Sequence, residues 1–313
     1  MDSPFRLRDS MKTGSGAMAE SALIPPFEIA APPQWSAPVV FNSPHSGRHY
    51  TREFLRQSRL SPLALRKSED CFVDELFLSC VGHGAPLLRA HVPRSFIDLN
   101  REPYELDPHM FTGDLPGYVN TSSPRVASGL GTIPRVVAEG EDIYRGRFAF
   151  TEALSRVERI YLPYHRALKA LTDAVMAKVG EVLLIDCHSM PASATHHVLP
   201  QSHGPVDVVL GDRFGASCGG DITALVEDLL RAEGLRVLRN KPYAGGFITQ
   251  NHGAPMRGRH ALQVEINRGL YLDEATLART ANFEPLRRSL DKVLARLLPQ
   301  LEMRFRPRQL AAE

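Results

Sequence analysis

Histidines, a carboxylate and an Asn-Arg pair stand at or just past the ends of predicted strands in this 313-residue chain. They are His45, Asn100, Arg101, His188 and Glu265. Ligands of open α/β sheets bind in the crevice beyond the carboxyl ends of the strands, so these positions predict one shared site. Two histidines and one carboxylate form the ligand set of a catalytic zinc, which acidifies a water in its fourth position.

Each of these residues also has an ordinary structural explanation. A single strand-end histidine such as His45 or His188 is commonly no more than hydrogen-bonded. Glu265 is harder to set aside, because a carboxylate inside an apolar strand must be paired or functional. Asn100 and Arg101 combine an amide with a guanidinium that can grip a carboxylate, which predicts a substrate with a carboxyl group; an ordinary ion pair is the alternative.

The elements that must position these residues alternate between strands and helices. Strands are predicted at 37–42, 86–92, 95–100, 181–188, 206–211, 235–238 and 260–266. Helices are predicted at 61–80 with Ser61 as cap, 142–179 with a break at Pro163, 222–233 with Asp221 as cap, and 282–301. The alternation predicts an α/β fold with one domain and a mixed, mostly parallel sheet flanked by helices.

Local context places several other residues. Asp186 and His188 share one face of their strand while Cys187 faces away, which argues against a Cys-His nucleophilic pair. The helix at 61–80 carries Glu69, Asp70 and Asp74.

Residues 101–140 form a long Pro- and Gly-rich loop of the kind that covers a site. Residues 1–36 are predicted to be a flexible arm before a domain at 37–313.

Composition excludes several classes of protein. Lys and Arg number 37 against 35 Asp and Glu, so the net charge of +2 gives no case for a nucleic-acid partner. The sequence has no apolar run of membrane-spanning length and no signal-peptide core. Four cysteines without CxxC spacing predict free thiols in a reducing compartment, and we expect a cytoplasmic protein.

Loops supply the remaining candidates. The glycine-rich stretch at 243–249 matches no phosphate-binding motif, and we expect Gly246 and Thr249 to contact a small ligand. The loop histidines His196, His197, His203 and His252 could be additional ligands, although loop histidines are mostly surface residues; His252 is the one we keep as a candidate.

An ordered set of motifs resembles the N-formylglutamate amidohydrolase family over about residues 37 to 300. The motifs are SPHSG at 43–47, EDCFVDEL at 69–76, IDLNR at 97–101, DCHS at 186–189, GGFIT at 245–249 and VEIN at 264–267. The family is related to zinc carboxypeptidases and aspartoacylase-type deacylases, so the resemblance implies a zinc-carboxypeptidase-like (phosphorylase/hydrolase-like) fold with one Zn²⁺ per chain.

The resemblance also implies roles for individual residues. His45, Asp70 and His188 match the metal ligands, with Glu69 and Asp74 as alternatives for the acidic one. Glu265 matches the general base, and Asn100 and Arg101 match a pair that holds a substrate carboxylate. The implied reaction is hydrolysis of N-formyl-L-glutamate to formate and L-glutamate, as in histidine degradation.

One position departs from the family and leaves the substrate open. Gln250 stands where members that act on formylglutamate often have Arg, so a contact to the second carboxylate is expected to be missing. The same residues would also serve a deacylase or carboxypeptidase-like hydrolase acting on another N-acyl amino acid. A ligand-binding protein without catalysis is the alternative from a different class.

Overall fold

The computed structural model describes residues 24–137, 140–195 and 205–305. Its strands are β1 Phe27–Ala30, β2 Val39–Ser43, β3 Leu87–Ala90, β4 Phe111–Thr112, β5 Phe148–Ala149, β6 Val182–Met190, β7 Val208–Gly211, β8 Val237–Arg239, β9 Arg259–Asn267, β10 Leu272–Asp273 and β11 Ala278–Arg279. Its helices are α1 Arg52–Gln57, α2 Pro62–Arg66, α3 Val73–Leu76, α4 Pro124–Ala127, α5 Phe150–Arg156, α6 Leu162–Val179, α7 Gly220–Ala232, α8 Phe247–His252 and α9 Phe283–Arg304.

Seven of the strands form one sheet in the order β1-β3-β2-β6-β9-β7-β8. The four inner strands β3, β2, β6 and β9 run parallel, while β1 pairs antiparallel with β3 and β7 pairs antiparallel with β9. β8 then pairs parallel with β7. The predicted α/β class with a mixed, mostly parallel sheet is confirmed.

Helices cover both faces of this sheet. α3, α7 and α9 pack on one face, where the α9 residues Leu290, Leu294, Leu297 and Leu301 are buried. α5 and α6 pack on the other, where Tyr164 and Leu168 are fully buried. β6 is buried along its whole length because both of its faces are covered, as is usual for a central parallel strand. None of the described helices combines the length and apolarity needed to cross a membrane.

The predicted helix at 61–80 is not continuous, because the residues between Arg66 and Val73 are not helical. Ser61 does cap α2, and Pro62 occupies its first turn. The helix then ends, because Phe72 has a left-handed backbone with φ 61° and the N–H of Asp70 donates to the carbonyl of His45 at 3.0 Å. Asp70 therefore lies in a connection between α2 and α3, where a long-range hydrogen bond replaces the helical one.

The predicted strand at 95–100 is also wrong. The N–H of Asn100 donates to Asp98 Oδ1 at 2.9 Å, and the N–H of Asp98 donates to the carbonyl of Thr132 at 2.8 Å. Short acidic and amide side chains often bond neighbouring backbone groups in this way and compete with strand pairing. The segment is a folded loop that turns its polar side chains toward the sheet edge.

The predicted arm ends earlier than residue 36. β1, at Phe27–Ala30, pairs with β3 in register Phe27 to Ala90, and Phe27 and Ile29 pack against the core. Two apolar side chains at alternate positions give this segment a buried face, which outweighs the Pro-rich composition around it. Residues 1–23 lie outside the described residues.

Two helix boundaries differ from the prediction in small ways. α7 begins at Gly220 with Gly219 as its cap, so Asp221 lies in the first turn and accepts a hydrogen bond from the Ile222 N–H. The predicted helix at 142–179 begins only at Phe150 and is divided into α5 and α6 by a π-helical turn at Val157–Tyr161. Pro163 lies two residues after this turn, and its missing N–H accounts for the irregularity.

A glycine fixes the loop that carries His45. A Cβ on Gly47 would lie 1.9 Å from the carbonyl oxygen of Val92, so Gly47→Ala must displace backbone. We expect the free energy of unfolding to fall by about 1–3 kcal/mol, measured by urea denaturation. Gly117→Ala, whose Cβ would meet nothing within 4 Å, is the control and should stay within about 0.5 kcal/mol. Equal stability of the two variants would contradict this packing.

A partly buried histidine on α6 makes stability depend on pH. His165 Nε2 donates to the Leu99 carbonyl at 2.9 Å, and burial lowers the pKa of His165 from 6.5 to about 4. The folded state therefore favours the neutral ring, so this stability is fully present above pH 6.5 and is lost as pH falls toward 4.

We expect His165 to account for roughly 2 kcal/mol of the stability lost between pH 7 and pH 5. The check compares urea unfolding of the wild type and His165→Gln at both pH values, with a chelator present to remove metal effects. His165→Gln should lose less stability than the wild type over this range. An identical loss in both proteins would show that His165 is not the group responsible.

Candidate active site

His45 lies immediately after β2, in the loop that begins with Pro44. Its Nε2 atom is 2.7 Å from Asp98 Oδ1. A carboxylate only accepts hydrogen bonds, so Nε2 carries the proton and Nδ1 presents a lone pair to the site. Asp98 is held in turn by Arg94 Nε at 3.0 Å. The ring of His45 is thus oriented by a carboxylate behind it.

His188 near the end of β6 is oriented in the same way. Its Nε2 atom lies 2.9 Å from Asp186 Oδ2, and Asp186 Oδ1 accepts a hydrogen bond from Asn42 Nδ2 at 2.7 Å. The predicted facing is confirmed, since Cys187 packs in the core on the opposite side of the sheet. Burial lowers the pKa of His188, but the charge and hydrogen bonds of Asp186 and Asp70 raise it well above the ordinary value.

Asp70 lies between the two imidazoles. Its Oδ2 atom is 3.0 Å from His188 Nδ1 and 3.4 Å from His45 Nδ1. Its Oδ1 atom accepts hydrogen bonds from Arg268 Nη2 at 2.9 Å and from Ser189 Oγ at 3.3 Å. Burial raises the pKa of Asp70, but the two imidazoles outweigh it and hold that pKa well below the usual range. One carboxylate oxygen is therefore fixed and the other is directed at the histidines.

The three side chains fit a divalent cation. One ligand atom from each of His45, Asp70 and His188 can be chosen so that all lie within 4.8 Å of one another. His45 Nδ1 is buried and receives no hydrogen bond from the described residues. Its lone pair faces a carboxylate oxygen, an arrangement that a cation between them stabilises. Two imidazoles backed by carboxylates plus one carboxylate ligand suit zinc.

The two alternative acids are engaged elsewhere. Glu69 accepts hydrogen bonds from Tyr50 Oη at 2.7 Å and Arg66 Nε at 3.2 Å. Asp74 forms an ion pair with Arg89 at 3.3 Å. The structure therefore brings Asp70, and neither of these two, to the histidines.

Glu265 lies on β9 directly opposite His188 of β6. Its Oε1 atom accepts a hydrogen bond from Gln263 Nε2 at 2.8 Å, and Gln263 Oε1 accepts one from the Gly246 N–H at 2.8 Å. The backbone thus fixes the Gln263 amide, which in turn fixes the carboxylate. Burial, helped by the charge of Asp70 and opposed by that of His188, raises the pKa of Glu265 to about 7. A carboxyl group of this kind can accept and return a proton near neutrality.

These residues line a cavity of about 490 Å³, a size typical of small-molecule sites. His45, Asp70, His188 and Glu265 share it with residues of the predicted covering loop, among which Arg125 and Leu130 contribute to the wall. Five cationic residues also line the cavity: Lys67, Arg94, Arg101, Arg125 and Arg268. The position of the loop agrees with its predicted role as a cover.

Asn100 and Arg101 line the cavity, but protein groups already bond several of their polar atoms. Asn100 Oδ1 accepts from the Ile248 N–H at 2.7 Å, whereas its Nδ2 lies 3.3 Å from His188 Nε2, which donates to Asp186 and cannot accept a second hydrogen. Arg101 donates to the carbonyls of Leu130 at 2.9 Å and Asn100 at 2.8 Å. These bonds hold the cavity wall, so the predicted carboxylate clamp has little donor capacity left.

The glycine-rich stretch is only partly at the cavity. Gly246 lines it, and a Cβ there would lie 2.4 Å from Asn100 Nδ2. Thr249 does not line it, because its hydroxyl is buried and donates to the Gly246 carbonyl at 2.9 Å. Its predicted contact with substrate therefore has no structural support. Gln250 is exposed outside the cavity lining, so the departure at this position does not alter the wall.

The loop histidines are not among the candidate ligands that the structure describes. His196, His197 and His203 lie outside the described residues. His252, the last residue of α8, is partly buried rather than on the surface, and it lies outside the group formed by His45, Asp70 and His188.

Sequence reasoning missed several residues that organise the site. Asp98 stands between Ile97 and Leu99, and the argument that a carboxylate among apolar residues must be paired applies to it as it did to Glu265. Arg268 follows the end of β9, so its strand-end position was a usable signal. Arg94 and Gln263 had no comparable signal in the sequence.

Comparisons with known proteins place the chain among N-formylglutamate amidohydrolases. A family model described as N-formylglutamate amidohydrolase matches residues 37–272. N-formylglutamate deformylase of Pseudomonas aeruginosa is 28% identical over 240 residues, which cover 76% of this chain and 83% of the relative. The crystal structure of N-formylglutamate amidohydrolase from Ralstonia eutropha has a TM-score of 0.83 and 35% identity, and the match covers 90% of this chain and 99% of that one.

Fold and site together define an α/β protein with a candidate metal centre and an opposing carboxylate at the ends of parallel strands. The chain belongs to the N-formylglutamate amidohydrolase family. The resemblance that the sequence motifs carried is thereby confirmed.

The carboxylates behind the imidazoles should control the affinity for metal. Asp98→Asn keeps the shape of the side chain but removes the charge that fixes His45, so we expect Zn²⁺ to bind about 10–100-fold more weakly. Competition with a chelator of known affinity measures the dissociation constant. Asp228→Asn, at an exposed position of α7, is the matched control. Unchanged affinity in Asp98→Asn would mean that His45 is not a ligand.

Proposed function

We propose that the chain hydrolyses N-formyl-L-glutamate to formate and L-glutamate, with a divalent ion, most suitably zinc, held by His45, Asp70 and His188. Membership of the family and the names of its relatives support the reaction. The observation that carries the proposal is the convergence of these three buried side chains opposite Glu265 in one cavity.

The charge of the cavity supports a substrate with two carboxylates. Five cationic residues line it against three carboxylates, Asp70, Asp98 and Glu265, which leaves an excess of two positive charges before the proposed divalent ion is counted. N-formyl-L-glutamate carries two negative charges at neutral pH. Buried charges require partners, so a dianionic ligand balances this lining better than a neutral one.

The residues of the chain divide the chemistry between them. Glu265 takes the proton of the attacking water, whose oxygen bonds to the formyl carbon. The carbon–nitrogen bond then breaks, and Glu265 gives the proton to the leaving nitrogen, which yields formate and the free amine. Gln263 occupies Oε1 and leaves Oε2 for the proton. A bound zinc ion supplies Lewis-acid activation of the water and the acyl group.

We propose a cytoplasmic location for this reaction. The four cysteines, Cys71, Cys80, Cys187 and Cys218, are all buried free thiols. Burial raises the pKa of Cys71 to about 12, so this thiol stays protonated and unreactive. Free thiols suit a reducing compartment.

Release of the acyl group from a panel of N-acyl amino acids tests the reaction. With purified, Zn²⁺-loaded protein we expect formate from N-formyl-L-glutamate at a higher kcat/KM than acetate or succinate from the corresponding acyl compounds. Preference for another acyl group would identify a deacylase of different specificity. Stoichiometric metal with no hydrolysis of any compound would favour a binding protein.

Glu265→Gln tests the role of the base. The amide cannot take a proton, so kcat should fall by about 10²–10⁴-fold while metal content is retained. Glu158→Gln on the exposed surface is the matched control and should keep wild-type kcat. Substantial turnover by Glu265→Gln would assign the proton transfer to another group.

A further inference from the structure

The cations that line the cavity differ in how many donors they have left. Arg268 donates from Nε to Ser189 Oγ at 3.0 Å, from Nη1 to the Lys67 carbonyl at 3.2 Å and from Nη2 to Asp70 at 2.9 Å. Arg101 donates from Nε and Nη1 to two backbone carbonyls, and its Nη2 lies 3.5 Å from Asp98 Oδ2. These two guanidinium groups serve the protein itself, which leaves little capacity for a ligand.

Arg94 has free donors at the inner end of the cavity. Its Nε bonds Asp98, and within the described part of the chain Nη1 and Nη2 have no hydrogen-bond partner. Arg94 lines the same cavity as Glu265 and shares Asp98 with His45, so one carboxylate separates it from a candidate metal ligand. The two free nitrogens of a guanidinium anchored at Nε match the two oxygens of a carboxylate.

Arg125 has free donors at the outer end. It lies on α4 in the covering loop, 38% of its side chain is exposed, and its contact with Glu105 is a long one of 3.8 Å between Nη1 and Oε2. That distance is beyond a hydrogen bond. Among the described cationic residues that line the cavity, Arg125 is the exposed residue whose guanidinium lacks a hydrogen bond from Nη1 to a carboxylate.

We propose that Arg94 and Arg125 divide the two carboxylates of the substrate between them. Arg94 holds the carboxylate on the carbon next to the scissile amide, and Arg125 holds the carboxylate at the end of the side chain. In formylglutamate the first carboxylate is close to the reacting carbon and the second is two methylenes further away, which matches an inner and an outer cation. This assignment rests on the proposed function, and it moves the carboxylate contact from Arg101 to Arg94.

Three substrates that differ in one carboxylate test the assignment. N-formyl-L-glutamate has both groups, N-formyl-L-glutamine lacks the outer one, and N-formyl-4-aminobutyrate lacks the inner one. Values of kcat/KM for formate release are measured for each substrate with wild type, Arg94→Gln and Arg125→Gln. Arg288→Gln, at an exposed position of α9, is the control.

Arg125→Gln should lower kcat/KM for formylglutamate by about 10–100-fold, mainly through KM, and change that for formylglutamine less than threefold. Arg94→Gln should lower kcat/KM for both amino-acid substrates more than for formylaminobutyrate. Arg125→Lys should recover part of the loss, because it restores the charge without the bidentate fork.

If Arg125→Gln lowers kcat/KM equally for formylglutamate and formylglutamine, Arg125 does not hold the side-chain carboxylate. Equal losses of Arg94→Gln on all three substrates would show that Arg94 acts only through Asp98 and would overturn the inner assignment. If the wild type releases no formate from any of them, the proposed function fails instead. Binding of L-glutamate and L-glutamine by calorimetry then decides the Arg125 assignment without catalysis.

Discussion

The site depends on an alternation of carboxylates and imidazoles whose side chains are almost wholly buried. Asp98, His45, Asp70, His188 and Asp186 follow one another as buried neighbours, each carboxylate against an imidazole. A buried carboxylate without a partner costs several kcal/mol or more, so this order tolerates no missing member. Arg94 and Arg268 add positive charge at Asp98 and Asp70. This alternation lowers the cost of burying the carboxylates. It also directs Nδ1 of His45 and Nδ1 of His188 at Oδ2 of Asp70.

The sheet brings these side chains together at one of its edges. β2, β6 and β9 are neighbours and run parallel, so their carboxyl ends meet at the same edge. His45 follows β2, while His188 and Glu265 are paired residues on β6 and β9. The loop with Asp70 joins them through a backbone hydrogen bond to His45. Strand pairing thus fixes the position of Glu265, the proposed base, relative to His188.

Sequence reasoning predicted the parts of the site that the sheet determines. His45, His188 and Glu265 could be found because strand ends and the two-residue period of a strand are visible in the sequence. Asp70 was placed on a helix, because apolar residues at Leu65, Phe72 and Leu76 continue a helical spacing through the break. The break arises from a bond to the distant carbonyl of His45, which no local pattern reveals. Asp98 could have been found, because it is a carboxylate between the apolar residues Ile97 and Leu99, but the loop that carries it resembles a strand in composition.

Chemistry and selectivity are encoded in separate stretches of the chain. The candidate ligands and the base lie on or beside inner strands buried on both faces, whereas Arg125 and Leu130 belong to the segment between β3 and α5, outside the main sheet. Substitutions in that segment can reshape the far end of the cavity without disturbing the strands. Evolution can therefore change which acylated amino acid is accepted while the bond that is cleaved stays the same.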